Sequence, residues 1–347
     1  MTFVDEVKKG RFLSATCDLS LPFTVGEWIL ESGIHCKLLQ RGVLQITPIE
    51  QMSTAKDIVL SSGVHGNETA PIELIQQLAE GILLGHIEPV HRLLLIIAHP
   101  EAINNKTRFI DENMNRLFKV RNQERNIDCK VANQLQEAVN SFYGSSTAIQ
   151  PEKWHLDLHC AIRRSEHYTF AISPYSHKLS RSNSLFSFIQ YAKIEAVLLA
   201  NDPSSTFSWF SAEYHGAQSL TIELGKVADF GENDLTLLSY FSHSLMKLIT
   251  ESTLPISWNN DVEVYRVNRT LLKQSESFTF SFPNDLPNFT FFEEGTYLGS
   301  DKEQEFIADE KGEAVVFPNA NVALGQRAAL MVKKAHIIFD EQVRLCG

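Results

Sequence analysis

Strands alternating with helices over most of the chain, then strands alone, predict an α/β fold: a mixed sheet flanked by helices, with a smaller C-terminal antiparallel β domain. Three observations carry this prediction. Short apolar runs such as "DIVLSSG" (57–63) and "RLLLIIAHP" (92–100) have the texture of strands buried on both faces. The segments between such runs repeat apolar residues at helical spacing. Beyond about Pro255 that spacing disappears, and short strands follow one another between Pro, Asn and Gly. At 347 residues the chain exceeds one ordinary core. The expected division is 1–255 and 256–347.

Taken in order, "CKLLQRGVLQITP" (36–48) reads as a hairpin turning at Arg41-Gly42. After the strand at 57–63, Thr69 is the expected N-cap and Pro71 suits a first helical turn. Ile72, Ile75, Leu78 and Ile82 then mark one helical face. The strand at 92–100 stops at Pro100. "KVANQLQEAVNSFYG" (130–144) places Val131, Leu135, Ala138 and Phe142 on one face and ends at Gly144. Strands are expected at 154–160, 168–173, 196–201 and 219–224, and a helix at 234–250 with Asp234 as its N-cap. The C-terminal strands fall in 278–292, 313–324 and 329–339.

Composition narrows the function. The formal charge is −11, which disfavours nucleic acid and anionic membranes as partners, since both demand a basic face. A small anionic substrate stays compatible, because a few clustered arginines hold carboxylates whatever the net charge. No apolar run reaches the ~18–20 residues that span a bilayer, and "MTFVDEVKKGRFL" lacks the features of a signal peptide. The five cysteines are dispersed, with no C-x-x-C pair, as in a protein of a reducing compartment. The expectation is a cytoplasmic protein.

Four stretches hold residues that can do chemistry. "SSGVHGNETAPIEL" (61–74) sets His65 and Glu68 between glycines where a strand turns into a helix. They are either the polar tip of that turn or part of a metal site. In "WHLDLHC" (154–160) alternation puts His155, Asp157 and His159 on one strand face and Cys160 on the other. His159 lies near the strand's C-terminal end, where open α/β sheets build their sites. Two imidazoles and one carboxylate with a fourth position for water make a catalytic zinc ligand set, and Asp157 could orient one imidazole. "TRFIDENMNRLF" (107–118) holds Arg108, Asn115 and Arg116 in a loop, either solvated or poised for carboxylates. "TIELGK" (221–226) puts Glu223 inside an apolar strand. There it is either an edge residue facing water or a general base with a raised pKa.

"GVHGNE", "DENMNRLF", "DLH" and "TIELG", in that order, together resemble the succinylglutamate desuccinylase and aspartoacylase family, and "FPNANVALGQRAALMV" (317–332) is similar to its C-terminal signature. The resemblance implies a zinc-carboxypeptidase-like domain with a C-terminal β domain, and one Zn2+ per subunit held by His65, Glu68 and His159. It implies that Arg108 polarises the scissile carbonyl, that Asn115 and Arg116 clamp a substrate carboxylate, and that Glu223 activates the water. The tyrosine by which the aspartoacylase branch binds substrate from its C-terminal domain has no counterpart in "FPNANVAL". The succinylglutamate branch is nearer, through "HGNETAP" and "DLHCAIR". Its reaction splits N-succinylglutamate into succinate and glutamate in arginine catabolism. That substrate carries three carboxylates, and Arg163 is the first choice for the succinyl end, ahead of Arg164 and Lys226. The alternative is the same chemistry on another N-acyl amino acid, such as N-acetylaspartate. Cobalt or manganese would also suit such ligands.

Overall fold

Buried runs of Ile, Leu and Val cannot leave their backbone groups unpaired, and here they pair into one long twisted sheet. The computed structural model describes residues 2–49, 55–119, 121–148, 150–178, 180–254, 257–339 and 343–346. Two short helices, α1 (Phe3–Lys8) and α2 (Phe12–Cys17), precede the strands β1 (Gly26–Ile29), β2 (His35–Gln40), β3 (Val43–Thr47) and β4 (Lys56–Ser62). Then come α3 (Thr69–Leu83), β5 (Arg92–Ile97), α4 (Pro100–Asn104), a 3-10 turn at Met114–Arg116, α5 (Ile127–Gly144), β6 (Glu152–Ala161) and β7 (Thr169–Ser173). Next are α6 (Asn183–Tyr191), β8 (Ala196–Leu199), α7 (Phe207–His215), β9 (Gln218–Lys226) and, after a 3-10 turn, α8 (Ser239–Thr250). From there only strands follow among the described residues: β10 (Glu263–Leu272), β11 (Thr279–Phe280), β12 (Thr290–Phe292), β13 (Tyr297–Asp301), β14 (Gln304–Ile307), β15 (Glu313–Val316), β16 (Arg327–Phe339) and β17 (Val343–Cys346).

The large sheet runs in the order β1-β2-β3-β5-β4-β6-β9-β7-β8-β10-β16-β15-β12, with β17 on β16; β11, β13 and β14 form a separate antiparallel sheet. Its centre is parallel, β5, β4, β6 and β9 lying side by side in one direction. Strand β10 adds to it in parallel with β8, and the remaining C-terminal strands pair antiparallel. The C-terminal region is thus continuous with the sheet that carries the site.

Strand alternation divides the core between the two faces. Ile58, Leu60, Leu93, Leu95, Trp154, Leu156 and Leu158 pack with α3, α6 and α8. Val59, Leu94 and Ile96 face the other way, against Leu135, Val139 and Phe142 of α5 and Phe207 and Phe210 of α7. The hairpin turns at Gly42, whose φ is +74°, and a Cβ there would lie 2.1 Å from the Ile97 carbonyl oxygen. Only glycine fits. Asp234 caps the turn before α8 by accepting from the Thr236 amide.

Candidate metal centre

The parallel register sets the site. Ser61 lies beside Asp157, and His159 beside Glu223, so the chain leaves β4, β6 and β9 at the same edge of the sheet. After β4 the backbone turns at Gly63, with φ +67°. At Gly66 a Cβ would meet the Ala102 carbonyl carbon at 2.2 Å, so the turn can press against α4 only without a side chain. This close approach aims His65 and Glu68 back over the end of β6. Glu68, rather than the expected Thr69, occupies the N-cap of α3, and no side chain caps that helix. The carboxylate is drawn to the two histidines instead, and the Thr69 hydroxyl donates to the Ala228 carbonyl at 2.7 Å.

His65, Glu68 and His159 are buried, with one potential ligand atom from each lying within 4.8 Å of the others. They form the one such group among the described residues. His65 Nδ1 lies 2.9 Å from Glu68 Oε1, and His159 Nδ1 lies 2.8 Å from Glu68 Oε2. The outer nitrogens are also held: His65 Nε2 is 3.0 Å from Asn113 Oδ1, and His159 Nε2 is 2.9 Å from Asp157 Oδ2. Both rings therefore turn Nδ1 inward and are fixed from behind, the arrangement that prepares imidazoles for a metal. Burial pushes the Glu68 pKa up, but His65 and His159 outweigh it and hold the group well below the usual carboxylate range. Burial likewise opposes charge on His159, and Asp157 and Glu68 prevail, raising it well above the ordinary histidine value. The cluster stabilises positive charge at its centre. Two imidazoles and a carboxylate of this kind could hold a metal ion.

Glu223 stands across from His159 on β9. Its Oε2 is buried without a hydrogen-bond partner, and burial, then the charge of Glu68, pushes its pKa up to about 7. An orphaned carboxylate oxygen beside a prospective metal is an unused acid–base group. Arg108 is half-buried and donates from Nη1 to Glu68 Oε1 at 2.5 Å, leaving its other donors for a ligand. Asn115 is buried and accepts from the Phe207 amide through Oδ1, which leaves its amino group free. Arg116 is exposed and, among the described residues, bonds the Asn115 carbonyl alone. Arg163 is half-buried in the loop after β6, with no hydrogen bond or ion pair among the described residues. Arg164 and Lys226 are exposed. Cys160 turns its sulfur to the Leu224 carbonyl, on the opposite face from His159, while its amide donates to Glu68 Oε2.

Several supporting residues escape sequence reasoning. Asn113 fixes His65 and also accepts from the Asn115 amide. Asp128, fully buried at the start of α5, accepts from the amides of Ile110, Asp111 and Glu112 and meets His99 Nε2 at 3.1 Å. It thereby pins the loop between Arg108 and Arg116. Behind Asp157, the Ser61 hydroxyl donates to Asp157 Oδ1 at 2.6 Å and contacts His155 Nε2, whose Nδ1 contacts Ser211 of α7. The tight turn and the strand alternation were visible signals for the placement of His65, Glu68 and His159. Asn113 and Asp128 carried none, being polar residues in a polar stretch.

A helix-flanked mixed sheet with a His-Glu-His group at its parallel strand ends suits a hydrolase whose site could hold a metal ion. The comparisons specify which. Residues 54–249 match the Succinylglutamate desuccinylase/Aspartoacylase catalytic domain, and residues 260–335 match the AstE/AspA barrel-sandwich hybrid domain. The chain belongs to the succinylglutamate desuccinylase/aspartoacylase family. It is 45% identical over 333 residues, 96% of both chains, to a protein named succinylglutamate desuccinylase from Vibrio vulnificus (strain YJ016). Over the same length it is 47% identical to one of that name from Vibrio campbellii (strain ATCC BAA-1116). The X-ray structure of the Vibrio parahaemolyticus protein superposes with a TM-score of 0.91 at 43% identity, covering 96% of this chain and 98% of that one. The Chromobacterium violaceum structure gives 0.82 at 31%, covering 94% and 98%. Murine aminoacylase 3 shares the fold, with a TM-score of 0.54 at 17% identity.

Proposed function

We propose that this chain is a zinc-dependent amidohydrolase that cleaves N-succinyl-L-glutamate to succinate and L-glutamate, in the cytoplasm, as a step of arginine breakdown. The observation that carries the chemistry is Glu223, a half-buried glutamate with a buried, unpartnered Oε2 and a pKa near 7, beside the His65–Glu68–His159 group. The substrate reading is supported by the two Vibrio relatives above, which bear the desuccinylase name at 45% and 47% identity over 96% of the chain.

His65, Glu68 and His159 would hold the zinc, which when bound acidifies water and polarises an amide carbonyl. Glu223 takes a proton from the attacking water at Oε2. Arg108 donates to the carbonyl oxygen as negative charge develops there, a role whose loss costs roughly 3–4 kcal/mol elsewhere. Glu223, now protonated, passes that proton to the departing α-amine, so one water is consumed and one carboxylate and one amine are released. Asn115 and Arg116 hold a substrate carboxylate, with Arg163 offered for the succinyl end. Asn113 and Asp157 keep the imidazoles turned inward.

Metal-replete protein incubated separately with N-succinylglutamate, N-acetylaspartate and a peptide with a free C-terminus tests this reading. The expected result is glutamate released from the first substrate alone and abolished by a chelator. Release from N-acetylaspartate alone would overturn the substrate, and release indifferent to the chelator would overturn the metal.

A further inference from the structure

Arg327 opens β16, which lies between β10 and β15 in the sheet. Its guanidinium lies over the ring of Phe317 at 5.7 Å. Phe317 packs against Phe170 with ring centroids 6.1 Å apart, and Phe170 is the register partner of Glu223. Two aromatic rings therefore separate this arginine from the acid–base residue.

Its position is fixed from the backbone. Phe317 adopts φ +55°, outside the ordinary range of a phenylalanine, and its amide donates to Asn288 Oδ1 at 2.8 Å. Asn288 is itself buried, donates to the Arg164 carbonyl and accepts from the Glu166 amide. One asparagine thus ties the turn beneath Arg327 to the loop that follows His159. Strain of this kind persists where the surroundings hold it in place.

The electrostatics are one-sided. Arg327 has no hydrogen bond or ion pair from its side chain among the described residues, although it opens to solvent. Crowding by the protein first, and the charge of Arg116 second, push its pKa down to about 10. Arg116, though its side chain reaches solvent, is in turn lowered by crowding from the surrounding protein and then by the charge of Arg108. Three guanidiniums thus feel one another's charge, and among the described residues Glu68 is the single carboxylate bonded to any of them. Arg116 and Arg327, two cations without a carboxylate partner among the described residues of a protein of net charge −11, are arranged for an anionic ligand.

We propose that Arg327 is a substrate-binding residue which, together with Arg116, grips one carboxylate of the substrate away from the scissile amide. The inference rests on the reading of the site as an N-acyl amino acid hydrolase. It gives the C-terminal region a direct share in substrate selection. The planar fork of arginine matches a carboxylate in two parallel bonds, which lysine cannot reproduce.

The test compares wild type, Arg327→Gln and Arg327→Lys, each with metal content and thermal midpoint measured. The substrates are N-succinylglutamate and three relatives that each lack one carboxylate: N-acetylglutamate, N-succinylglutamine and N-succinyl-4-aminobutyrate. On N-succinylglutamate, kcat/KM should fall about 10- to 100-fold in Arg327→Gln, mostly through KM. Arg327→Lys should fall between. For the one relative missing the gripped carboxylate, wild type and variant should differ little, which identifies that carboxylate. An equal loss on all four substrates, or no loss on N-succinylglutamate, would overturn the proposal. If wild type instead cleaves a different N-acyl amino acid, the substrate reading fails. The same comparison on that compound and its carboxamides then still decides the role of Arg327.

Discussion

The parallel strands at the centre of the sheet carry buried charge at both ends, and the two ends treat it differently. At the N-terminal ends each carboxylate meets a permanent cation of the chain. Asp57 pairs with Arg92 at 2.9 Å, both almost fully buried, and Glu152 pairs with Lys56 at 3.4 Å. Arg92 also donates to the Phe142 carbonyl and the Ser145 hydroxyl. At the C-terminal ends Glu68, Asp157 and Glu223 crowd together; among the described residues Arg108 is the one arginine bonded to any of them, imidazoles meet Glu68 and Asp157, and Glu223 Oε2 stays unpartnered. The fixed-charge pair of Asp57 and Arg92 is electrically balanced within the chain even though Asp57 Oδ2 has no hydrogen-bond partner among the described residues. A carboxylate cluster balanced by titratable rings leaves room for a cation from outside, so charge imbalance, more than burial, separates the working end from the structural one.

Replacing one group at each end should give opposite readouts. Glu223→Gln keeps shape and hydrogen-bonding capacity but cannot move a proton. We expect kcat to fall by about 10³-fold with unchanged zinc content and little change in KM. Near-native turnover in a fully loaded variant would remove Glu223 from the mechanism. At the other end Arg92→Met leaves Asp57 buried without its cation. Unfolding in urea should show a loss of about 3–5 kcal/mol, while kcat per folded molecule stays near wild type. A large drop in kcat with intact stability would erase the distinction between the two ends.

A third expectation belongs to the structural end and concerns pH. His91 is buried and accepts the Lys56 amide on Nδ1, while Nε2–H donates to the Glu251 carbonyl, so the neutral ring fills both bonds. Burial first, and the Lys56 charge second, push its pKa down to about 4. The unfolded chain, with histidine near its ordinary 6.5, therefore binds a proton between about pH 6.5 and 4 that the folded chain refuses. Its contribution is complete above pH 6.5 and lost as pH falls towards 4, about 3 kcal/mol in all. His91→Gln should be less stable at pH 7.5 and lose less on acidification. Parallel urea midpoints for the two proteins across that range would refute this.

What could be read in the sequence follows the range of the interaction. His65, Glu68 and His159 were legible because turn glycines and strand alternation are local patterns that fix where a side chain points. Glu223 stood out as a charge inside an apolar run. The N-cap of α3 was misplaced by one residue because tertiary contacts with His65 and His159 override the capping preference of Glu68's neighbour. Joining β10 to β8 needed pairing across the middle of the fold, which no local period encodes. Asp128 and Asn113 were silent for a related reason. Their partners are backbone amides and an imidazole brought in by the fold, and nothing about an aspartate or asparagine in a polar loop distinguishes the anchoring ones.

Asn113 offers the finest comparison, because it works at the functional end without supplying a ligand. Its Oδ1 sits behind His65 Nε2 as Asp157 Oδ2 sits behind His159 Nε2, a neutral acceptor on one ring and a charged one on the other. Removing the neutral one by Asn113→Ala frees His65 to rotate and leaves the electrostatics of the cluster nearly unchanged. Zinc affinity, read by competition with a chromophoric chelator, should weaken about tenfold. Asn113→Asp keeps the acceptor and adds charge, so it should bind zinc at least as tightly as wild type. If both variants weakened zinc equally, the acceptor geometry would be irrelevant, and Asn113 would matter only through its bond to the Asn115 amide in the loop.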